Sequence, residues 1–229
     1  MIEFLFLDMD NTILDFDMAE RIAIPKTLAA FGVHVTDELL ARYHAINKSC
    51  WEMLERGELT RDEVGVRRFA EIFAQEGVQA DARACNTLYI ENLAIGHHFL
   101  AGAEEAVHSL SKKYRLYIAS NGTASVQEGR MTSANLYPYF EKVFISENLG
   151  ANKPAKKFFD RSFAQIPDFD PAKAMIVGDS LTSDILGGIN AGIATCWVNP
   201  KHKPAKPEIQ PDYEVENLIQ LEELLETLR

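Results

Sequence analysis

The chain has 229 residues, 47% of them hydrophobic and 10% aromatic, enough to bury one full core and a smaller satellite. Asp and Glu number 34 against 23 Lys and Arg, and the resulting charge of −11 repels polyanions, which excludes nucleic acid polymers and acidic lipid surfaces as partners. A small anionic ligand must therefore be held by a local cation, a metal ion or backbone N–H groups.

Residues 2–7, IEFLFL, are short, apolar and aromatic-rich, and they predict a buried strand ending at Asp8. No basic segment precedes this run, and Asp8 and Asp10 interrupt it far short of the ~20 residues of a membrane span. Neither a signal peptide nor a transmembrane helix is expected. Residues 16–95 then show amphipathic helical patterns at roughly 17–31, 36–56, 60–76 and 80–95 and no convincing strand. They are expected to form a small all-helical domain inserted into a core made of residues 1–15 plus 96–229. Gly32, Gly57 and Gly77 punctuate these helices, Thr36 and Thr60 are candidate N-caps, and Thr60 with Glu63 has the capping-box spacing. Pro25 should kink or shorten the first of them.

Beyond the insert the rhythm changes. Apolar runs end at Ser120 (YRLYIAS), Ser146 (KVFIS), Asp179 (KAMIVGD) and Val198 (IATCWV), with helical patterns at 102–113, 123–135, 155–165 and 182–191. Strand and helix alternate, which argues for an α/β fold with a parallel sheet and helices on both faces. Residues 199–211, with four prolines, read as a loop. GGINAG at 187–192 follows a helical pattern instead of opening one, so it reads as close packing and not as a dinucleotide fingerprint. Cys50, Cys85 and Cys196 lie far apart, form no CxxC or Cys/His cluster, and read as reduced core residues of a cytoplasmic protein.

Asp8 and Asp179 each stand where a buried strand leaves the sheet, the edge at which open parallel sheets bind ligands. If both strands are central, their carboxylates converge and repel unless a cation lies between them. Mg²⁺ suits such oxygen donors beside a phosphate. Asp10, two residues beyond Asp8, points to the same side of an extended chain and is free to handle protons. Ser120 and Asn121 open the next helix, where a hydroxyl and N–H groups can cradle phosphate oxygens, and Lys153 ahead of another helix supplies the local cation. Each of these residues alone has a simpler reading, as a turn former, a helix cap or a solvated charge. The set of Asp8, Asp10, Ser120, Lys153 and Asp179 within one alternating pattern points to a catalytic site.

DMDNT at 8–12, SNG at 120–122, KP at 153–154 and GDSLTSD at 178–184 resemble the four ordered motifs of the haloacid dehalogenase-like (HAD) hydrolase superfamily, over nearly the whole chain. The resemblance implies a Rossmann-like sheet of strand order 5-4-1-2-3 with a type-1 helical cap. It further implies that Asp8 is a nucleophile forming an aspartyl-phosphate, that Asp10 is the general acid/base, and that Ser120, Asn121 and Lys153 bind the phosphoryl group. Mg²⁺ would be held by Asp8, the Asp10 carbonyl and Asp179, with Asp184 a ligand or second-layer acceptor. Haloacid dehalogenases lack the second Asp, so dehalogenation is disfavoured here. AINKSCWEMLERGELT at 45–60, FISENLGANKPAKKFFD at 144–160 and DILGGINAGIATCWVNP at 184–200 are similar to the pyrimidine 5′-nucleotidase branch, although Lys156 stands where the broader family often has proline. The implied substrate is a small phosphate monoester, a nucleoside 5′-monophosphate with pyrimidine preferred. Alternatives are a sugar-phosphate or phosphoglycolate phosphatase, or a non-catalytic binding protein with this fold. Asn47, Lys48 and Trp51 share one helical face at three- to four-residue spacing and are candidate substrate contacts, weighed against packing for Trp51 and solvation for Lys48. A monomer is expected, with a dimer left open.

Overall fold

A computed structural model describes residues 1–228. The chain forms two compact units: Met1–Phe16 with His97–Arg229, and Asp17–Gly96.

The larger unit is built on a six-stranded, all-parallel sheet of order β3-β2-β1-β4-β5-β6. Its strands are β1 (Phe4–Leu7), β2 (Arg115–Ser120), β3 (Lys142–Ile145), β4 (Ala174–Gly178), β5 (Ala194–Val198) and β6 (Tyr213–Val215). The expected order 5-4-1-2-3 is therefore present, read from the other side, with β6 added at the edge. Strand β1 is central and wholly buried. Its alternate residues enter two cores: Leu5, Leu7 and Met9 pack on one face of the sheet, Phe4 and Phe6 on the other. Because the chain builds β2 and β3 on one side of β1, then β4 to β6 on the other, the direction of winding reverses beside β1. That switch point opens a crevice at the carboxyl ends of the strands.

Helices α5 (Ala103–Leu110), α6 (Ala124–Ser133), α7 (Ser146–Leu149), α8 (Lys156–Phe163), α9 (Leu186–Ala191) and α10 (Leu218–Thr227) belong to this unit. Phe158 and Phe159 of α8 are fully buried in the core. The small residues of GGINAG serve packing. A Cβ on Gly188 would stand 2.4 Å from Ile176 Cγ2, and one on Gly187 would stand 2.8 Å from Phe159. Three elements go beyond the sequence expectations, the single helical turn α7 being the first. Strand β6 has only three residues and no apolar run, while α10 is capped by Asn217, which accepts from Ile219 N and Gln220 N, and buries Leu218, Leu221 and Leu225.

The smaller unit is all-helical: α2 (Asp37–Glu55), α3 (Arg61–Glu76) and α4 (Ala82–Ala94), together with α1 (Phe16–Ala29) from its second residue. Thr36 caps α2 by accepting from Leu39 N, and Thr60 with Glu63 forms the full capping box of α3. Pro25 does not end α1, which continues to Ala29. The carbonyl that loses its partner belongs to exposed Arg21, where water can take the place of the missing N–H. A buried polar network joins the four helices with one side chain from each. Glu20 accepts from Asn47 Nδ2 at 3.1 Å and Tyr89 OH at 2.7 Å, and Arg68 donates to Asn47 Oδ1 at 3.0 Å. Arg68 also lies 4.4 Å over the Tyr89 ring, so its charge is balanced by Glu20 and by aromatic faces.

Candidate active site

The site lies at the carboxyl edge of β1, β2 and β4. Leu7 pairs with Ile118 and with Val177, so the next residue, Asp8, stands beside the ends of β2 and β4. Its N–H still joins the ladder, donating to Val177 O at 2.9 Å. Met9 turns into the core with no exposed surface, and Met9 O accepts from Ile13 N and Leu14 N. The methionine between the two aspartates thus anchors the loop that carries them. Asn11, at φ 55°, makes the turn and caps α1 through its Oδ1, which accepts from Phe16 N at 3.0 Å.

Lys153 is 1% exposed and donates to Asp8 Oδ1 at 2.7 Å, to Asp184 Oδ1 at 2.6 Å and to the Ala119 carbonyl. All three ammonium protons are therefore directed. Burial opposes this charge, but Asp184 and Asp8 overcome it and hold the lysine above its ordinary pKa. Burial raises the Asp8 carboxyl well above the usual carboxylate range; Lys153 opposes the rise, and the charges of Asp184, Asp10 and Asp179 add to it. Asp179 is pushed up to about 7, first by burial and then by Asp184 and Asp10.

Asp8, Asp179 and Asp184 each offer a carboxylate oxygen, and the three lie within 4.8 Å of one another. Three hard oxygen donors around one point fit a small divalent cation such as Mg²⁺. Two details prepare the set. Trp197 Nε1 donates to Asp179 O at 2.8 Å and fixes the β4 end, and Gly178 leaves room for Asp184, whose carboxylate would stand 2.2 Å from any Cβ there. A π-helical turn at Leu181–Ile185 carries Asp184 inward, where Ser180 N donates to its Oδ2 at 3.1 Å. The Asp10 side chain is outside this trio.

Asp10 is held from the other side. Gln127 Nε2 donates to its Oδ2 at 2.6 Å, and the fully buried Arg130 pairs with its Oδ1. The same Gln127 Nε2 lies 2.8 Å from Ser120 Oγ, which also accepts from Gly122 N at 3.0 Å. Sequence reasoning did not single out these two residues. Their signal is a Gln and an Arg three residues apart on the helix that Ser120 opens, both too polar for the buried face they occupy. Asn121 commits its side chain to the protein: Nδ2 donates to Lys153 O and Ser183 Oγ, and Oδ1 accepts from Lys153 N. It positions the lysine's backbone. At the start of α6 the Ala124 N–H is taken by Glu147 at 2.7 Å. Of the candidates in the helical unit, Asn47 is buried in the Glu20–Arg68 network and Lys48 has a 79% exposed side chain, so these two do not share an environment. Trp51 packs against the Cys50, Leu54 and Val64 cluster, with Arg61 stacked on it at 5.6 Å. All three cysteines are free and buried.

A parallel sheet with two aspartates after its first strand, a buried lysine and a carboxylate pair after its fourth defines a class of hydrolase. Residues 2–192 match the family described as haloacid dehalogenase-like hydrolase, and the chain belongs to it. It is 39% identical over 221 residues to the HAD-hydrolase YfnB of Bacillus subtilis, covering 96% of this chain and 94% of that protein. The magnesium-bound crystal structure of YfnB superposes with a TM-score of 0.94 at 38% identity over 98% of both chains. It is also similar to two pyrimidine 5′-nucleotidases. PynA of Streptococcus pneumoniae is 39% identical over 93% of this chain and 90% of its own, and YjjG of Escherichia coli is 33% identical over 97% of both. No helix among the described residues is long and apolar enough to cross a membrane.

Proposed function

We propose that this hydrolase is a Mg²⁺-dependent phosphomonoesterase acting on nucleoside 5′-monophosphates, pyrimidine nucleotides above others. The observation that carries the reading is the buried Asp8–Lys153–Asp184 array with Asp179 beside it and Asp10 held separately on Gln127 and Arg130. It gives two carboxylates different surroundings and so different tasks. Asp8, held by Lys153, attacks phosphorus; the bond from phosphorus to the ester oxygen breaks, and Asp10 gives that oxygen its proton, leaving an aspartyl-phosphate. Water then attacks phosphorus, Asp10 takes the proton of the water, and the bond to Asp8 breaks to release inorganic phosphate. Ser120 Oγ would hold the transferring group, and the Lys153 charge beside Asp8 would offset its charge. Asp8, Asp179 and the Asp10 carbonyl would hold Mg²⁺, with Asp184 beside them; the ion would neutralise charge that builds on the phosphoryl oxygens. The substrate class is supported by likeness to PynA and YjjG at 39% and 33% identity, and the metal by the magnesium-bound YfnB structure.

The test is phosphate release from a panel of nucleoside monophosphates, sugar phosphates and phosphoglycolate with Mg²⁺. Release should be greatest with pyrimidine 5′-monophosphates and should vanish with EDTA and with Asp8→Asn. Full activity in either case would overturn the mechanism, and a sugar phosphate turned over with higher kcat/KM would overturn the substrate class.

A further inference from the structure

Asp10 has both carboxylate oxygens occupied, and by residues of one helix. Gln127 and Arg130 project from α6, which begins four residues after Ser120 ends β2, so the two donors that hold the acid/base follow directly on the strand that carries the hydroxyl. Both donors are buried, Gln127 to 1% and Arg130 to 0% exposure, although Gln and Arg are costly to place there without satisfied partners. Arg130 is further set by the Phe16 ring, 5.6 Å from its guanidinium carbon, and lies 3.4 Å from Gln127 Oε1. The two donors therefore brace each other.

Gly122 gives an independent sign that this arrangement is built in. A Cβ at Gly122 would stand 2.1 Å from Gln127 Nε2 and 2.6 Å from its Cδ. The glycine of the SNG motif is needed for the amide to cross over the loop and reach Asp10 and Ser120 together. Its φ is not in the left-handed region, so backbone conformation does not explain it. Side-chain clearance does.

We propose that Gln127 and Arg130 are positioning residues which fix the Asp10 carboxylate and, through the Gln127 amide, tie it to Ser120, so that the proton-transfer group and the phosphoryl-holding hydroxyl keep one geometry. The proposal rests on the hydrolytic reading above. In that reading Asp10 must meet an ester oxygen in the first step and a water in the second from one place. A carboxylate left to rotate would miss both in a fraction of encounters, and a misplacement of about 1 Å costs on the order of 100-fold in rate.

The test compares two esters that differ in their need for a proton. From a nucleoside 5′-monophosphate the nucleoside would leave as an alkoxide and so needs the proton of Asp10; from p-nitrophenyl phosphate the leaving group is a stable phenolate, which hardly does. For Gln127→Leu and Arg130→Met, kcat/KM on the nucleotide should fall roughly 10- to 100-fold. On p-nitrophenyl phosphate the fall should be no more than about threefold, since proton transfer contributes little to that leaving group. Arg130→Lys, which returns one charged donor, should recover part of the loss. Gly122→Ala, which keeps both donors but displaces the amide, should behave as Gln127→Leu. Equal losses on both esters would mean a merely structural role and overturn the proposal, as would no loss on either. Crystal structures of Gln127→Leu and of the unaltered protein give a readout free of turnover: the Asp10 carboxylate should leave its rotamer in the variant, and an unchanged rotamer overturns the proposal. If the unaltered enzyme hydrolyses neither ester, the hydrolytic reading fails, and the rotamer comparison still decides whether Gln127 fixes Asp10.

Discussion

Lys153 is the residue on which the charges of the site balance. It separates Asp8 from Asp184, two carboxylates at 2.7 and 2.6 Å from one ammonium, all at 10% side-chain exposure or less. Removing it leaves two like charges buried without a partner, and breaking such a pair costs about 3–5 kcal/mol. Lys153→Met should therefore lower the free energy of urea unfolding by that order and also abolish turnover; an unchanged unfolding midpoint would show that the carboxylates relax by taking up protons. Asp8→Asn acts oppositely. It removes a group whose ionisation is already opposed by burial, so the variant should lose catalysis by more than about 10³-fold. Its thermal midpoint should be equal to or above that of the parent, measured without metal.

At the level of elements, helices are held to the sheet and to each other by small residues and caps whose failure can be measured separately. Gly188→Ala drives a methyl to 2.4 Å from Ile176 and 2.6 Å from Thr195 across the α9–sheet contact. Overpacking of this kind costs about 1–3 kcal/mol and should appear as a lower unfolding midpoint. In the helical unit, Thr60→Ala removes the acceptor of Glu63 N and the capping box of α3. That should cost about 1 kcal/mol by chemical denaturation. The elements were legible to unequal degrees. The alternating runs marked β1 to β5 because each is short and mostly apolar, and all but β3 are buried over nearly their whole length. Strand β6 was not marked, since a three-residue edge strand has too little burial to leave a pattern. Asn217 with leucines at 218, 221 and 225 does carry the signature of α10.

For the whole molecule, the clustered carboxylates link stability to pH and to metal. Asp179 titrates near 7 in the folded protein against 3.8 in the open chain. A carboxyl raised in the folded state keeps a proton that the unfolded chain has released, so stability is full below about 4 and is lost as pH rises toward 7. A divalent cation would reverse this, because it binds the ionised carboxylates and competes with protons. Thermal midpoints in EDTA should thus be lower at pH 7.5 than at pH 5, and added Mg²⁺ should raise the midpoint more at pH 7.5 than at pH 5. An equal Mg²⁺ increment at both pH values would place the cation away from Asp179.

Order along the chain was enough to bring Asp8, Asp10, Ser120, Lys153 and Asp179 to one edge. In a parallel sheet every strand ends on the same side, and a polar residue after an apolar run marks that end. Which polar groups satisfy one another was decided only by tertiary structure. Asn121 braces Lys153, Asn47 joins a network inside the helical unit, and Gln127 and Arg130 close on Asp10 across more than 100 residues of sequence. The reason is that burial makes an unpaired donor or acceptor costly, and the partner that relieves it is set by distance in space, which residue spacing along the chain does not encode.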